Sequence, residues 1–455
     1  MSTKQTDVNN MQETPPRDTP SLYTADTVQQ VKASPPGGFQ PPPHHRPPRS
    51  NGSYWFAVAA VVVVVALIFS VFALVVAQQG QHPATQITPT PTSPGTTVTT
   101  TPGSDATLTP TPGVTQGPQN GPASVSDLAY WDRILGTQGT NGKVESVSFA
   151  NVMGNSTLQA LVTIRHSDAN GTLDAYVFDK ITNTSPTRIF MLTGLIKGDA
   201  QISYYNSIMT AQVDTNSALN TGKLEGALTT DLCREFKWSD GAGTFVQTAF
   251  PGFFPDMTRW QAEAAQAQAN AGQNTWRNDP AQVAKLLAAR LMNWQGTLTT
   301  KVLSGGGPHD VYASVQVQGT PIQSAQPTIV VTLSRLEGNT HNIWEAIGVK
   351  DGSTLTLTNI PTGSLISSPV TLTGTGSAYE AVIGQGVVYD HLYTNIGHEQ
   401  LTGSPGMGRA TYSINVPYSS SFTGAQEGIV VAYQDMGGLS SGYSSAVVVK
   451  VMIGG

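Results

Sequence analysis

The most strongly patterned segment of the chain is an unbroken apolar run at residues 54–77, in which Ser70 is the only polar side chain. At about 1.5 Å per helical residue, such a run can cross a hydrocarbon core of roughly 30 Å. Because a backbone in lipid must satisfy its N–H and C=O groups internally, we predict a single transmembrane helix here. Tyr54, Trp55 and Phe56 are typical of the interfacial end of such a helix.

The cations that flank this run predict its orientation. Five Lys and Arg residues precede it, whereas none follows it before Arg133. Because positive residues accumulate on the cytoplasmic side, we predict a cytoplasmic N-terminus and an extracellular chain after residue 78. The alternative is a secretory signal peptide that is cleaved after Ala77. The long preceding segment and the length of the apolar run favour a retained anchor in the cell membrane.

The two segments beside the predicted helix lack any pattern of buried positions. Residues 1–53 are Pro-rich and offer little apolar surface to offset the entropy of ordering, so we predict a disordered cytoplasmic tail. Residues 78–124 are rich in Thr and Pro and are predicted to form an extended stalk. At ~3.1 Å per residue in a polyproline conformation, this stalk would reach roughly 100 Å or more from the bilayer.

Residues 125–252 show the short alternating runs that are typical of a β-rich domain. Two of these runs, at residues 157–165 and 172–179, flank Asn170 and Gly171, a dipeptide that favours a tight hairpin. The hairpin pattern is similar to that of propeller blades. The length suffices for only two or three blades, so we expect no closed propeller.

Residues 253–358 predict an α+β domain, because two helical patterns precede a series of strand patterns. We expect Asp256 to cap the first helix and Gly272 to end it, while Asp279 and Pro280 begin the second. The helices should then cover one face of the sheet. Four tryptophans are predicted to lie in its core: Trp260, Trp276, Trp294 and Trp344.

Residues 359–455 contain apolar or alternating runs of strand length that are separated by Gly, Ser and Pro turns. This pattern is typical of a two-sheet β-sandwich. We predict that Ile366 and Val430 face the interior between the two sheets. The sandwich should contain a complete core of its own.

The beginning of this segment also carries a resemblance to a known family. It contains a P-x-G-x-x-I-x-S-P pattern that is followed by a Tyr-Glu-Ala turn. The matching residues are Pro361, Gly363, Ile366, Ser368, Pro369, Leu372, Gly374, Tyr379, Glu380 and Ala381. In these positions the chain resembles the immunoglobulin-like domain of bacterial spore-germination-associated proteins, over roughly the last 95 residues. The resemblance implies a non-catalytic module in a secreted or membrane-anchored protein.

Composition and charge narrow the possible partners. Charged residues are 11% of the chain, and the formal net charge is -6. Without the five cations and four anions of residues 1–53, the remainder of the chain has 18 cations and 25 anions, a net of -7. Binding to nucleic acid is therefore not expected. The single cysteine, Cys233, excludes an intrachain disulfide.

Several motifs that resemble catalytic or ligand sites do not have the required context. Residues 438–442 match G-x-S-x-G around Ser440, but the flanking patterns predict strands, whereas a nucleophile elbow needs a following helix. Asp390-His391 and His398-Glu399 could meet across a hairpin, yet a third metal ligand is missing. Gly305, Gly306 and Gly307 have no Walker lysine pattern.

Two further histidine positions carry little signal. His166 is expected at a solvated strand end, and His44-His45 lies in the Pro-rich tail. We therefore predict no catalytic, cofactor-binding or metal-binding residues.

The sequence as a whole predicts a multidomain, mainly β protein. Its order is a tail (1–53), a single transmembrane helix (54–77), a stalk (78–124), a β-rich domain (125–252), an α+β domain (253–358) and an immunoglobulin-like sandwich (359–455). We predict a non-catalytic cell-envelope protein that contacts lipid through residues 54–77 and binds an envelope protein or glycan. The alternatives are an extracytoplasmic sensor that signals to the tail and, in a different class, an envelope hydrolase.

The predicted topology can be tested with a reporter fused after Gly455. The reporter is one that is active only outside the cytoplasm. We expect the fusion after Gly455 to be active, because the flanking cations keep the N-terminus inside. The same reporter fused before Met1 is the control and should be silent. A C-terminal fusion that is active only in the cytoplasm would contradict the topology.

Overall fold

The computed structural model describes residues 116–454, apart from residues 183, 322–325, 338–341, 352–353, 405, 407 and 436–442. The described residues all belong to one compact unit. The predicted tail, transmembrane helix and most of the stalk lie outside the described residues. Among the described helices, none has the length and apolar content that crossing a bilayer requires. The described chain is mainly β, as predicted.

The first part of the described chain, residues 116–252, begins with a short helix on a four-stranded antiparallel sheet. Helix α1 (Leu128–Leu135) is capped by Asp127 and ends at Gly136, which has a positive φ of 66°. The sheet follows in the order β1 (Gly142–Ala150), β2 (Gln159–His166), β3 (Leu173–Asp179) and β4 (Thr187–Leu195). Trp131 of α1 is fully buried against this sheet, so the helix closes its outer face.

A second four-stranded antiparallel sheet completes the first part. It contains β5 (Asp199–Ile202), β6 (Ile208–Gln212), β7 (Leu232–Ser239) and β8 (Thr244–Thr248). Leu161 and Leu173 of the first sheet share one core with Ile208 and Phe236 of the second. The predicted hairpin at Asn170-Gly171 is confirmed between β2 and β3. Two meanders are thus present, in line with the small number of blades that the length allows.

The middle part, residues 253–358, begins with two helices, α2 (Arg259–Asn270) and α3 (Pro280–Arg290). The prediction that Asp256 caps α2 is wrong. Thr258 is the cap, and it forms a reciprocal capping box with Gln261, which satisfies two backbone donors at once. The predicted start of α3 is confirmed, because the Asp279 side chain accepts from the backbone of Ala281.

Strands from the middle and C-terminal parts form one nine-stranded sheet. From the middle part come β9 (Thr299–Gly305), β10 (Tyr312–Gln318), β11 (Thr328–Arg335) and β12 (Trp344–Asp351). The C-terminal part, residues 359–455, supplies β14 (Leu365–Ile366), β16 (Val382–Asp390), β17 (Asn395–Thr402), β19 (Gln426–Asp435) and β20 (Tyr443–Ile453). The strand order is β17-β16-β19-β20-β12-β11-β10-β9, and β14 pairs with β20.

The core beneath helix α3 also joins these two parts. Leu287 of α3 and Val331 of β11 belong to the same buried cluster as Ile429 and Val448 of the C-terminal strands. Strands β12 and β20 pair through Val349 and Val448. The sheet and its core therefore continue across the predicted boundary at residue 358.

A three-stranded sheet covers the other face of the C-terminal strands. It contains β13 (Thr356–Leu357), β15 (Val370–Ala378) and β18 (Gly408–Val416) in that order. Leu372 and Val416 from this sheet pack with Val388 and Val430 from the large sheet. The prediction that Ile366 and Val430 face the interior is confirmed, since they are 7% and 0% exposed.

The four tryptophans of the middle part divide into two groups. Trp294 and Trp344 are buried in the core, as predicted. Trp276 is only partly buried against that core, and Trp260 is partly exposed at the first turn of α2. The core prediction is therefore confirmed for two of them and wrong for Trp260.

The contact between α3 and the large sheet can be tested with Leu287→Ala. We expect a loss of about 2–5 kcal/mol in the free energy of unfolding, because the side chain is fully buried and its removal leaves a cavity. Leu224→Ala is the matched control, since Leu224 is 84% exposed, and it should change stability by less than about 0.5 kcal/mol. Equal losses of unfolding free energy for the two variants in urea denaturation would contradict the packing of α3 on the sheet.

Candidate functional site

Three buried cations lie where the first, middle and C-terminal parts meet, and we call this region the junction. Arg259 is the first residue of α2, Arg277 lies in the 3₁₀ turn Thr275–Asn278, and Lys450 lies on β20. Their side chains are 4%, 6% and 0% exposed. Each one contacts at least one carboxylate, as a buried charge requires.

Lys450 connects the C-terminal strands to the segment that links the first and middle parts. Its Nζ lies 2.6 Å from the carboxylate of Glu427 on β19 and donates to the carbonyl oxygens of Gly252 and Met257. The same carboxylate accepts from the backbone N–H of Phe250. Burial raises the pKa of Glu427 to about 7, although Lys450 opposes the shift, and burial lowers the pKa of Lys450.

Arg277 lies between two carboxylates of the middle part. It donates to Glu345 of β12 at 2.5 Å and to Asp256. The backbone N–H of Asp256 also donates to Glu345. Burial and the neighbouring Asp256 raise the pKa of Glu345 well above its usual range. Arg277 therefore joins the segment before α2 to β12 through these two carboxylates.

Arg259 also lies between two carboxylates, at the boundary between the first and middle parts. Its Nε lies 2.9 Å from Glu235 of β7, and its Nη1 lies 2.5 Å from Glu337. The rings of Tyr205 and Phe250 lie 4.9 and 5.1 Å from its guanidinium carbon. These rings and carboxylates enclose the cation completely.

The two carboxylates around Arg259 differ in their protonation. Burial raises the pKa of Glu337 to about 8. Burial alone would also raise the pKa of Glu235, but Arg259 and Lys237 outweigh it and the pKa is lowered. At neutral pH the junction therefore holds ionised Glu235 and protonated Glu337. The contact of Glu235 with Arg259 joins the first part to the middle part.

The histidine and acidic pairs that the sequence singled out do not form one site. His391 is 4% exposed, and its ring nitrogens contact Gln426 and the carbonyl oxygen of Asp231 in the first part. Asp390 accepts from the backbone of Leu392 and Thr394. Burial lowers the pKa of His391. This histidine therefore joins the first and C-terminal parts.

The other sequence candidates have equally local roles. His398 and Glu399 lie on edge strand β17 opposite Val387 and Gly386, where no described contact links them to His391. His166 is not simply solvated, because its Nε2 lies 3.0 Å from the carboxylate of Asp174. Ser440 and its G-x-S-x-G motif lie outside the described residues, between two strands that pair with each other.

A cleft of about 520 Å³ opens beside the hairpin loop of residues 306–311. Arg335, at the end of β11, forms part of its lining together with Asn278, His309 and Asp310. The Arg335 guanidinium carbon lies 4.3 Å from the ring centroid of Trp344, which is fully buried. A rigid aromatic surface therefore supports this cation from one side.

Gly305 at the end of β9 and Gly306 and Gly307 of this loop do not form a phosphate cradle. Gly305 and Gly306 have positive φ values of 62° and 89°. A Cβ on Gly305 would lie 2.1 Å from the carbonyl oxygen of Tyr312. The N–H of Gly306 donates to Tyr312, and that of Gly307 donates to the Asp310 carboxylate at 2.8 Å. These two N–H groups are therefore already used within the loop.

A second groove of about 550 Å³ lies in the first part beside Trp260. Arg165 and Lys197 contribute positive charge to its lining. Arg165 donates to the carbonyl oxygens of Gly171 and Gly198 and pairs with Glu145. The hydrogen-bond donors of Arg165 are thus largely used within the protein. Arg335, in the cleft beside residues 306–311, has more of its donors unused.

Among the described residues, no group of three or more His, Cys, Asp or Glu side chains is arranged to hold a metal ion. The sequence analysis predicted neither the junction nor a role for Arg335. One local signal of the junction is present, a lysine at position 450 within the otherwise apolar run of residues 446–453. Arg335 gains significance only once the loop of residues 306–311 is placed beside it.

Comparison with known proteins does not assign the chain to a family. No family model matches it, and no curated protein is similar to it at a significant level.

The protonation of Glu337 gives the junction a testable pH dependence. Its folded pKa of about 8 lies above the usual value of 4.5, so the folded state binds an extra proton between these pH values. Its contribution to stability is complete below pH 4.5 and is lost as the pH rises through 8, with a slope on the order of 1 kcal/mol per pH unit.

The test compares wild type with Glu337→Gln in urea denaturation between pH 5 and pH 8. Glutamine keeps an oxygen for Arg259 and has no proton to lose, so the variant should lose less stability over this range. Glu145→Gln, at an exposed ion pair, should behave like wild type. Identical pH profiles for wild type and Glu337→Gln would contradict the proposed protonation.

Proposed function

We propose that this chain is a non-catalytic, single-pass membrane protein of the cell envelope that displays a binding and scaffolding unit outside the cell. The apolar run at residues 54–77 and its one-sided cations support an N-terminal anchor with a cytoplasmic tail. The Thr/Pro-rich residues 78–124 support a spacer between the membrane and the folded unit.

The observation that carries the proposal is the use of charge in the described interior. Arg259 pairs with Glu235 across the boundary between the first and middle parts. Lys450 pairs with Glu427 and also donates to carbonyl oxygens of the first and middle parts. Arg277 pairs within the middle part. Catalytic acid and base groups need access to a substrate, and these side chains are almost completely buried. Such a junction suits a unit that presents surfaces in a fixed arrangement.

We further propose that the C-terminal part is an immunoglobulin-like module. The strand order β17-β16-β19-β20 faces the order β13-β15-β18, and β14 runs parallel to β20. These orders correspond to a C′-C-F-G sheet that faces an A-B-E sheet. The resemblance of residues 361–381 to the spore-germination-associated domain is consistent with this topology.

The proposal is tested by deleting residues 54–77 and by treating intact, wall-stripped cells with protease. Wild type should fractionate with membranes, and protease should release a soluble fragment that begins near Ser124, because the stalk has no core. The deletion variant should be soluble. A wild-type chain that is soluble, or that is fully protected from external protease, would contradict the proposal.

The hydrolase alternative has its own test on the same protein. A fluorophosphonate probe labels activated serine nucleophiles. We expect no labelling of wild type beyond that of Ser440→Ala. Labelling that depends on Ser440 would overturn the non-catalytic assignment.

A further inference from the structure

We propose that the cleft beside residues 306–311 binds the carboxylate group of a small ligand through the guanidinium of Arg335. The inference names a ligand class for the binding role proposed above and rests on that role. It depends on four features of the cleft: the hydrogen-bonding capacity of Arg335, its fixed orientation, the acceptor atom of Asn278, and the local charge.

Arg335 has unused hydrogen-bonding capacity and no described ion-pair partner. Its Nε donates to the carbonyl oxygen of Asp310 at 3.0 Å, and its Nη atoms donate to the carbonyl oxygens of Gly307 and Asn342. A guanidinium has five N–H donors, so two remain without a partner among the described residues. Because all three partners are neutral, the positive charge is not balanced by a direct contact.

The orientation of the guanidinium is fixed before any ligand binds. Trp344 supports one face of the group, and the three carbonyl oxygens hold its edges. The positive φ values of Gly305 and Gly306 keep the loop that supplies two of these carbonyls in place. A rigid fork of two N–H donors matches the two oxygens of a carboxylate, so little ordering entropy is lost on binding.

Asn278 adds a requirement for a hydrogen-bond donor on the ligand. Its Oδ1 atom is buried and accepts no hydrogen bond within the described residues, although Asn278 is part of the lining of the cleft. A buried acceptor without a partner is costly, and a ligand N–H or O–H would satisfy it. The ligand should therefore carry such a donor as well as its carboxylate, as N-acyl amino acids and sugar acids do.

The local charge favours a carboxylate over a phosphate. Burial lowers the pKa of Arg335, and the nearby Asp310 carboxylate partly offsets this effect. A phosphate monoester with nearly two negative charges would be repelled more strongly by Asp310 than a singly charged carboxylate. The cleft volume of about 520 Å³ lies within the range of small-molecule sites.

The test is isothermal titration calorimetry on the full chain in detergent micelles. N-acetylalanine and its neutral analogue N-acetylalaninamide differ only at the carboxylate, so they separate charge recognition from general affinity. We expect N-acetylalanine to bind at least about tenfold more tightly. Equal affinities for each acid and its neutral counterpart, or no binding of either N-acetylalanine or D-glucuronate at millimolar concentrations, would overturn the proposal.

A second titration pair identifies the source of the carboxylate. D-glucuronate is compared with D-glucose in the same way. A preference for N-acetylalanine over glucuronate assigns the site to peptide carboxylates, and the reverse assigns it to acidic saccharides. Either preference supports the proposal, because both ligands are carboxylates.

Arg335→Lys tests the fork itself, since lysine retains the charge and loses the paired donors. We expect the affinity for N-acetylalanine to fall at least about tenfold. Arg188→Lys is the matched control, because Arg188 also lies over an aromatic ring, that of Tyr176, in the first part. Unchanged affinity in Arg335→Lys would contradict the assignment.

Circular dichroism shows whether Arg335→Lys is folded, and the wild-type ligand pairs remain decisive if it is not. These binding measurements are independent of topology. Failure of the membrane and protease tests would therefore overturn the envelope role without changing the calorimetric result.

Discussion

The arrangement of the three described parts depends on placing Arg259 and Lys450 in the interior. Burying a charge is costly, and an ion pair repays that cost only when its geometry is satisfied. Lys450 on β20 finds its partners only if Glu427, Gly252 and Met257 are all in position. These contacts therefore contribute less to total stability than to specificity, because a shift between the parts would separate Arg259 from Glu235 and Lys450 from the carbonyl oxygens of Gly252 and Met257.

Local features of this fold could be predicted from the sequence, whereas its long-range pairings could not. Asn170-Gly171 favours a tight hairpin and Asp279-Pro280 favours the start of a helix, each through its own side chains. Both predictions were confirmed. Asp256 was misassigned because an aspartate before a helix is a good cap, but Thr258 and Gln261 form a better one and leave Asp256 to Arg277. The pairing of β12 with β20, and the contacts of Arg335, join residues far apart in sequence, so no local pattern indicates them.

The described charges thus have two different environments. At the junction, each cation contacts one or two carboxylates and is almost completely buried. Arg335 instead contacts three neutral carbonyl oxygens at an open cleft, and its face lies on Trp344. This contrast separates groups that hold the structure together from a group that is available for recognition, and it is consistent with a protein that displays a binding surface on a fixed support.

The central claim is that buried ion pairs make the three parts unfold together, and calorimetry of Lys450→Met tests it most directly. Wild type should show one thermal transition for residues 102–455. The variant leaves Glu427 buried without its cation, so we expect a loss of about 3–5 kcal/mol and a separation into more than one transition. Lys350→Met, at an exposed position on β12, should retain the wild-type profile. A Lys450→Met profile identical to that of wild type would contradict the account.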